Sequence, residues 1–147
     1  MVTVRKVGLA CDHAGYPLKE AVKVHLQSAG YVVKDFGTNS GESVDYPDFA
    51  HPLAEAVERS EVDRGITLCG SGNGISMAVN KHRGIRAAIC WSEEITRLAR
   101  QHNDANVCSL PARFLSEEEA QRIVDLFLST DFDGGRHQKR INKIPYK

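Results

Sequence analysis

The sequence predicts an α/β protein: a doubly wound sheet of five parallel strands in a three-layer arrangement with helices on both faces, ending in a basic C-terminal tail or helix. Three observations predict it. Short β-branched or apolar runs recur five times, stretches with helical period lie between them, and glycine-rich or ionisable segments follow the runs. In a parallel sheet those segments lie beyond the carboxyl ends of the strands, where ligands bind. At 147 residues the chain is expected to be a single domain, 1–147, with a real core.

The elements follow in order. "VRKVGLAC" is the first strand. In the first helix Leu18, Ala21, Val22, His25, Leu26 and Ala29 fall at spacings of three and four, with Pro17 near the start and Gly30 past the end. "YVVKDF" is the second strand, and Phe49, Leu53, Ala56 and Val57 repeat the helical pattern after Pro47. "GITLC" is the third, leading through "GSGNG" into a helix, and "IRAAIC" is the fourth. On the helix that follows, Ile95, Leu98, Ala99 and His102 share one face, which aims His102 toward the protein. "NVCSL" is the fifth strand. Ser116 then precedes Glu119 as in a capping box, and Ala120, Ile123, Val124, Phe127 and Leu128 form the last apolar stripe. The tail "DFDGGRHQKRINKIPYK" is glycine-punctuated and then basic.

Composition narrows the function. Hydrophobic residues at 41% and charged ones at 26% fit an ordinary globular protein. Nineteen basic residues balance nineteen acidic ones, so no overall field draws nucleic acid or an anionic membrane, and an anionic partner must be met locally. No window approaches the roughly 20 apolar residues of a membrane span, and the N-terminus lacks the apolar stretch of a secretory signal. A cytoplasmic protein is expected. Cys11, Cys69, Cys90 and Cys108 form no CxxC pair and no cluster at zinc-ligand spacing, so neither disulfides nor structural zinc are expected.

The segment "LCGSGNGIS" carries the densest chemistry. Glycines between a strand and a helix turn backbone N–H groups toward one point, which suits an oxyanion. Ile75 stands where a dinucleotide fingerprint needs its third glycine, and the Lys-Ser/Thr ending of a Walker loop is missing. The arginine of a cysteine-dependent phosphatase is also missing. Two readings of Cys69 stand at this point: a small buried hydrophobe, or a thiol beside an anion-binding loop that favours its thiolate.

Other residues admit similar pairs of readings. Asp12 and His13 in "CDHAG" are a cap and a loop residue, or ligands for sugar hydroxyls and phosphate. His102 is a satisfied core histidine or a catalytic one, with Asn103 beside it. In the tail Arg136 and Arg140, if helical, project together near His137; with Arg113 these cations suffice for one small phosphate.

The ordered set "CDHAG", "DYPDFA", "CGSGNGIS", "NKHRGIRAA", "RQHNDANV" and "GGRHQKR" resembles the type B ribose-5-phosphate isomerases, in the wider family with galactose-6-phosphate isomerase subunits. The resemblance spans nearly the whole chain. It implies a Rossmann-like homodimer with active sites at the subunit interface, interconverting an aldose phosphate and its ketose without metal or cofactor. A tetramer of two dimers is left open. Cys69 matches the catalytic base acting through an enediolate. His102 matches the ring-opening histidine supplied by the partner subunit, assisted by Asp12. Gly70, Ser71, Gly72, Asn73 and Gly74 match the loop that holds the enediolate oxygen on its N–H groups, with the Ser71 side chain and Asn103 nearby. Tyr46 matches a residue lying along the sugar, and His13, Arg113, Arg136, His137 and Arg140 match phosphate-binding positions. Some members use a glutamate base; here position 75 is Ile and Cys69 is present, so the chain matches the cysteine type. Pro111 stands where glycine is often found, and Ser71 replaces a more familiar threonine while keeping the hydroxyl. Two alternatives remain: an isomerase for a six-carbon substrate such as galactose 6-phosphate or allose 6-phosphate, and a non-catalytic sugar-phosphate-binding module.

Overall fold

The computed structural model describes residues 3–146. Strands β1 (Lys6–Cys11), β2 (Val32–Asp35), β3 (Arg64–Cys69), β4 (Ala87–Ile89) and β5 (Val107–Pro111) alternate with helices α1 (Tyr16–Ser28), α2 (Pro47–Glu58), α3 (Asn73–Val79), α4 (Glu93–Asn103), α5 (Glu117–Ser129) and α6 (Arg136–Ile141). All strand pairs are parallel, in the order β2-β1-β3-β5-β4. The expected α/β sheet is therefore observed, and the basic tail is helical at α6. Among the described residues no helix is long and apolar enough to cross a membrane.

Strand parity divides the core into two layers. Val7, Leu9, Cys11, Ile66, Leu68, Cys90, Cys108 and Leu110 pack with Val22 and Leu26 of α1 and with Ile123, Val124 and Phe127 of α5. The other face buries Ala10, Cys69 and Val107 against Leu53, Ala54 and Val57 of α2 and Ile75 and Val79 of α3. The alternation of β3 thus turns Cys69 toward α2 and α3, whereas Cys11, Cys90 and Cys108 belong to the opposite layer. All four are free thiols.

Local signals act as the sequence requires. The Ser116 hydroxyl accepts the Glu119 N–H at 3.1 Å while the Glu119 carboxylate accepts the Ser116 N–H at 3.0 Å, closing the capping box of α5. On α1, however, Lys19 lies on the buried face with 0% exposure. Its ammonium donates to both oxygens of Asp35 at 2.7 and 2.8 Å and to the Asn39 side chain at 3.2 Å, so the buried charge is paired.

The orientation of α4 departs from its apolar spacing. The buried face carries Thr96, Ala99 and Arg100, and Ile95, Leu98 and His102 are only half-buried. Arg100 decides this. Its guanidinium lies 6.0 Å from the Phe127 ring and donates to the carbonyls of Thr130 at 3.0 Å and Ala105 at 2.7 Å, and to Asp104 at 2.8 Å. An arginine held by these three hydrogen bonds fixes the roll of the helix, and His102 is left on the flank instead of facing its own core.

Candidate active site in two halves

The first half sits at the carboxyl ends of β1, β3 and β5. The Asp12 N–H donates to the Leu68 carbonyl at 3.2 Å, which fastens the end of β1 beside the strand that carries Cys69. The Asp12 carboxylate is buried and accepts the Gly15 N–H at 3.0 Å. His13 Nδ1 accepts the Val44 N–H at 3.2 Å, a bond that places the ring hydrogen of a neutral imidazole on Nε2. That nitrogen is a donor for an anion.

Cys69 ends β3 with 5% of its surface exposed, and the glycine loop follows directly. Gly72 holds φ +78° at the start of α3, a left-handed conformation that glycine adopts without a Cβ penalty. Tyr46, at the start of α2, lays its ring on this loop: a β-carbon at Gly74 would lie 2.5 Å from Tyr46 Cζ and 2.8 Å from its hydroxyl. Arg113 closes the other side. Its N–H donates to the Gly70 carbonyl at 3.0 Å, and a β-carbon on Gly70 would come within 3.0 Å of its Nη1. Pro111, paired with Cys69 across the sheet, thus leads into a short turn that folds the guanidinium over the glycine loop. Ser71 and Asn73 are exposed in the same loop, where the Ser71 hydroxyl accepts the Asn73 N–H at 3.2 Å.

The second half lies elsewhere. Helix α4 starts after β4 at the carboxyl edge and runs back over 11 residues, about 16 Å, to the amino edge. There the Asn103 and Asp104 carbonyls accept from Arg86, the residue just ahead of β4. His102 and Asn103 line a cavity of about 340 Å³ with His137, Arg140, Ile141 and Ile144. The imidazoles of His102 and His137 stack at 4.4 Å between centroids and 14° between planes. Burial, followed by the neighbouring His102, Arg136 and Arg140, holds the His137 imidazole below its usual pKa. Arg136 opens α6 and is exposed.

The fold therefore gathers Asp12, His13, Tyr46, Cys69, Gly70, Ser71, Gly72, Asn73, Gly74 and Arg113 at one edge. His102, Asn103, Arg136, His137 and Arg140 are grouped at the other, and a single chain does not join them. Asp133 was not singled out by the sequence, yet it stands with His102 and His137. Nothing in "DFDGG" marks it; its position follows from the Asp133 N–H donating to Gln101 O at 3.0 Å.

The comparisons match this architecture. A family profile described as Ribose/Galactose Isomerase covers residues 7–144. The chain belongs to the ribose/galactose isomerase family. Within that family it is 45% identical over 141 residues to ribose-5-phosphate isomerase B of Escherichia coli, covering 96% of this chain and 95% of that one. A solved ribose 5-phosphate isomerase of Thermotoga maritima superposes with a TM-score of 0.95 at 52% identity, covering 96% of this chain and 97% of that one. Ribose-5-phosphate isomerase B of Mycoplasma genitalium, solved with bound ribulose-5-phosphate, gives a TM-score of 0.90 at 45% identity, with 95% of this chain and 93% of that one covered. Both solved family members share the Rossmann-like sheet seen here.

Proposed function

We propose that the chain is a single aldose–ketose isomerase domain that interconverts ribose 5-phosphate and ribulose 5-phosphate, in a two-fold dimer that joins the two halves of the site. The observation that carries this reading is the placement of one sulfur. Among four buried cysteines only Cys69 faces the layer of α2 and α3, at a strand end, with the glycine loop, the Tyr46 ring and Arg113 beside it. The bound ribulose-5-phosphate in the Mycoplasma relative supports a five-carbon substrate.

In this reading His102 of the partner subunit, with Asp12, opens the sugar ring by moving a proton between the ring oxygen and the anomeric hydroxyl. Cys69, as thiolate, then removes the proton from the carbon next to the carbonyl and returns it to the former carbonyl carbon. The electron pair passes through an enediolate. Its oxygen charge meets the N–H groups of the Gly70–Gly74 loop, the Ser71 hydroxyl and the partner's Asn103, donors worth roughly 3–4 kcal/mol each where such groups have been removed. His13 and Arg113 bind the phosphate together with the partner's Arg136, His137 and Arg140, and Tyr46 lies along the chain of the sugar. Holding the remote phosphate fixes the reacting carbons against sulfur, so binding also serves the chemical step.

Two further observations favour a second copy. His102 lies at the wrong edge to reach its own Cys69, and Trp91 and Phe114 stand exposed in the segments after β4 and β5, an apolar surface beside the first half-site. Four free cysteines fit a reducing cytoplasm. The test is a coupled assay from ribulose 5-phosphate with Cys69→Ala. The variant is expected to keep its fold and its affinity for inorganic phosphate and to lose turnover by about a thousandfold or more. Wild-type turnover would remove the mechanism, and a higher kcat/KM on a six-carbon sugar phosphate would move the substrate assignment.

A further inference from the structure

We propose that His102, Asp133 and His137 form a binding site for a divalent late first-row transition-metal ion such as Zn2+, Co2+ or Ni2+. One imidazole nitrogen from each histidine and a carboxylate oxygen of Asp133 all lie within 4.8 Å of one another. A tetrahedral ion with bonds of about 2.0–2.1 Å holds its ligand atoms about 3.4 Å apart, so the set closes with movements of roughly 1.5 Å. The rings stack at 4.4 Å between centroids and 14° between planes, so one of them must turn out of the stack before both nitrogens face one ion. His137, half-buried on the surface of α6, is the ring that the proposal requires to turn.

The scaffold around the three ligands is already tied together. The Asp133 N–H donates to Gln101 O at 3.0 Å, and the His137 N–H donates to Gly134 O at 3.3 Å. The first bond clasps the loop before α6 onto the last turn of α4 and the second holds the start of α6 to that loop, so positions 102, 133 and 137 come together despite their distance in sequence. The donor set decides the metal. Two imidazoles and one carboxylate suit borderline ions, whereas Mg2+ and Ca2+ require oxygen ligands. Arg140 in the same cavity and Arg136 next to His137 repel any cation held by charge alone, which sharpens the preference for ions that bond strongly to nitrogen.

A second histidine cluster provides an internal control. His51 Nδ1 lies 2.7 Å from His82 Nε2, and His82 Nδ1 lies 3.2 Å from Glu58 Oε1. Both nitrogens of His82 are engaged there, so that cluster offers no shared open position. The functional consequence of the metal site rests on the isomerase reading above: an ion on His102 occupies the imidazole used for ring opening and slows turnover.

The experiment titrates Co2+ into the metal-free full chain and reads the visible absorption of cobalt on imidazole, with wild type, Asp133→Asn and His82→Ala in parallel. One saturating equivalent per chain is expected, weakened about tenfold or more by Asp133→Asn, unaffected by His82→Ala and not displaced by Mg2+. The Asp133→Asn chain keeps the backbone bond to Gln101, so the loop stays in place. In the isomerase assay the same variant should need about tenfold more Co2+ for half inhibition, with basal turnover unchanged. Absence of a saturable signal, indifference to Asp133→Asn, or loss in His82→Ala overturns the proposal. A cobalt signal that Asp133→Asn weakens, with wild-type turnover unaffected by saturating Co2+, supports the metal site and removes His102 from the ring-opening step.

Discussion

Gly74→Ala tests the contact between the glycine loop and Tyr46. The added methyl group would stand 2.5 Å from Tyr46 Cζ, where ordinary contact begins at 3.4 Å, so the ring must retreat by about 0.9 Å or the loop must give. Tyr46 is 37% exposed and is the softer of the two, which predicts that the ring swings outward and the fold survives. Stability should change by about 1 kcal/mol or less. Activity should respond far more, because a displacement near 1 Å in a positioning group costs on the order of a hundredfold, about 2.7 kcal/mol in kcat/KM. The assay is kcat/KM for ribulose 5-phosphate in a double-mutant cycle with Tyr46→Ala, alongside thermal unfolding. If the clash acts through the ring, Gly74→Ala adds little once Tyr46 is gone, and the two changes are strongly non-additive. Wild-type kcat/KM in Gly74→Ala, or full additivity in the cycle, would refute the placement of Tyr46 along the substrate.

Mixing inactive chains tests the shared site: refolding equal amounts of Cys69→Ala and His102→Asn should restore about a quarter of wild-type activity, since half of the dimers are mixed and each mixed dimer has one intact site. No recovery of activity on mixing would refute the sharing of Cys69 and His102 between subunits. The Lys19–Asp35 pair sets a stability prediction: Asp35→Ala leaves a fully buried ammonium with little compensation and should cost about 3–5 kcal/mol by urea unfolding. Burial alone would raise the Asp35 pKa, and hydrogen bonds from Lys19, the Gly37 N–H and Lys23 more than reverse it, leaving the folded value below the ordinary one. The carboxylate therefore contributes stability above the unfolded pKa near ~3.9, and that contribution is lost as pH falls through the folded value. Urea unfolding across the acid range should show the wild type losing this advantage over Asp35→Ala, and a constant difference between the two would contradict the pairing.

The sheet, its four connecting helices and α5 were legible because period and punctuation are local properties of the chain. Alternation in "GITLC" fixes which residues of β3 share a face, the Ser116–Glu119 box starts α5, and glycines at 70, 72 and 74 announce a loop with aligned amides. The same locality explains what stayed hidden. Spacing placed His102 on an apolar stripe, but the buried hydrogen bonds of Arg100 to Thr130 and Ala105 roll α4 the other way. Lys19 reads as a surface residue until Asp35, at the end of the next strand, neutralises it.

The sequence by itself determined the order of the elements and the residue types available for sugar-phosphate chemistry, because these depend on neighbours within a few residues. Only the tertiary structure decided that Cys69 alone of the four thiols faces the glycine loop's layer, since that depends on which helices cover each face of the sheet. It also decided that His102, Asp133 and His137 meet at the opposite edge from the sulfur. Contacts between distant segments are set by packing and buried charge, and neither leaves a period in the chain.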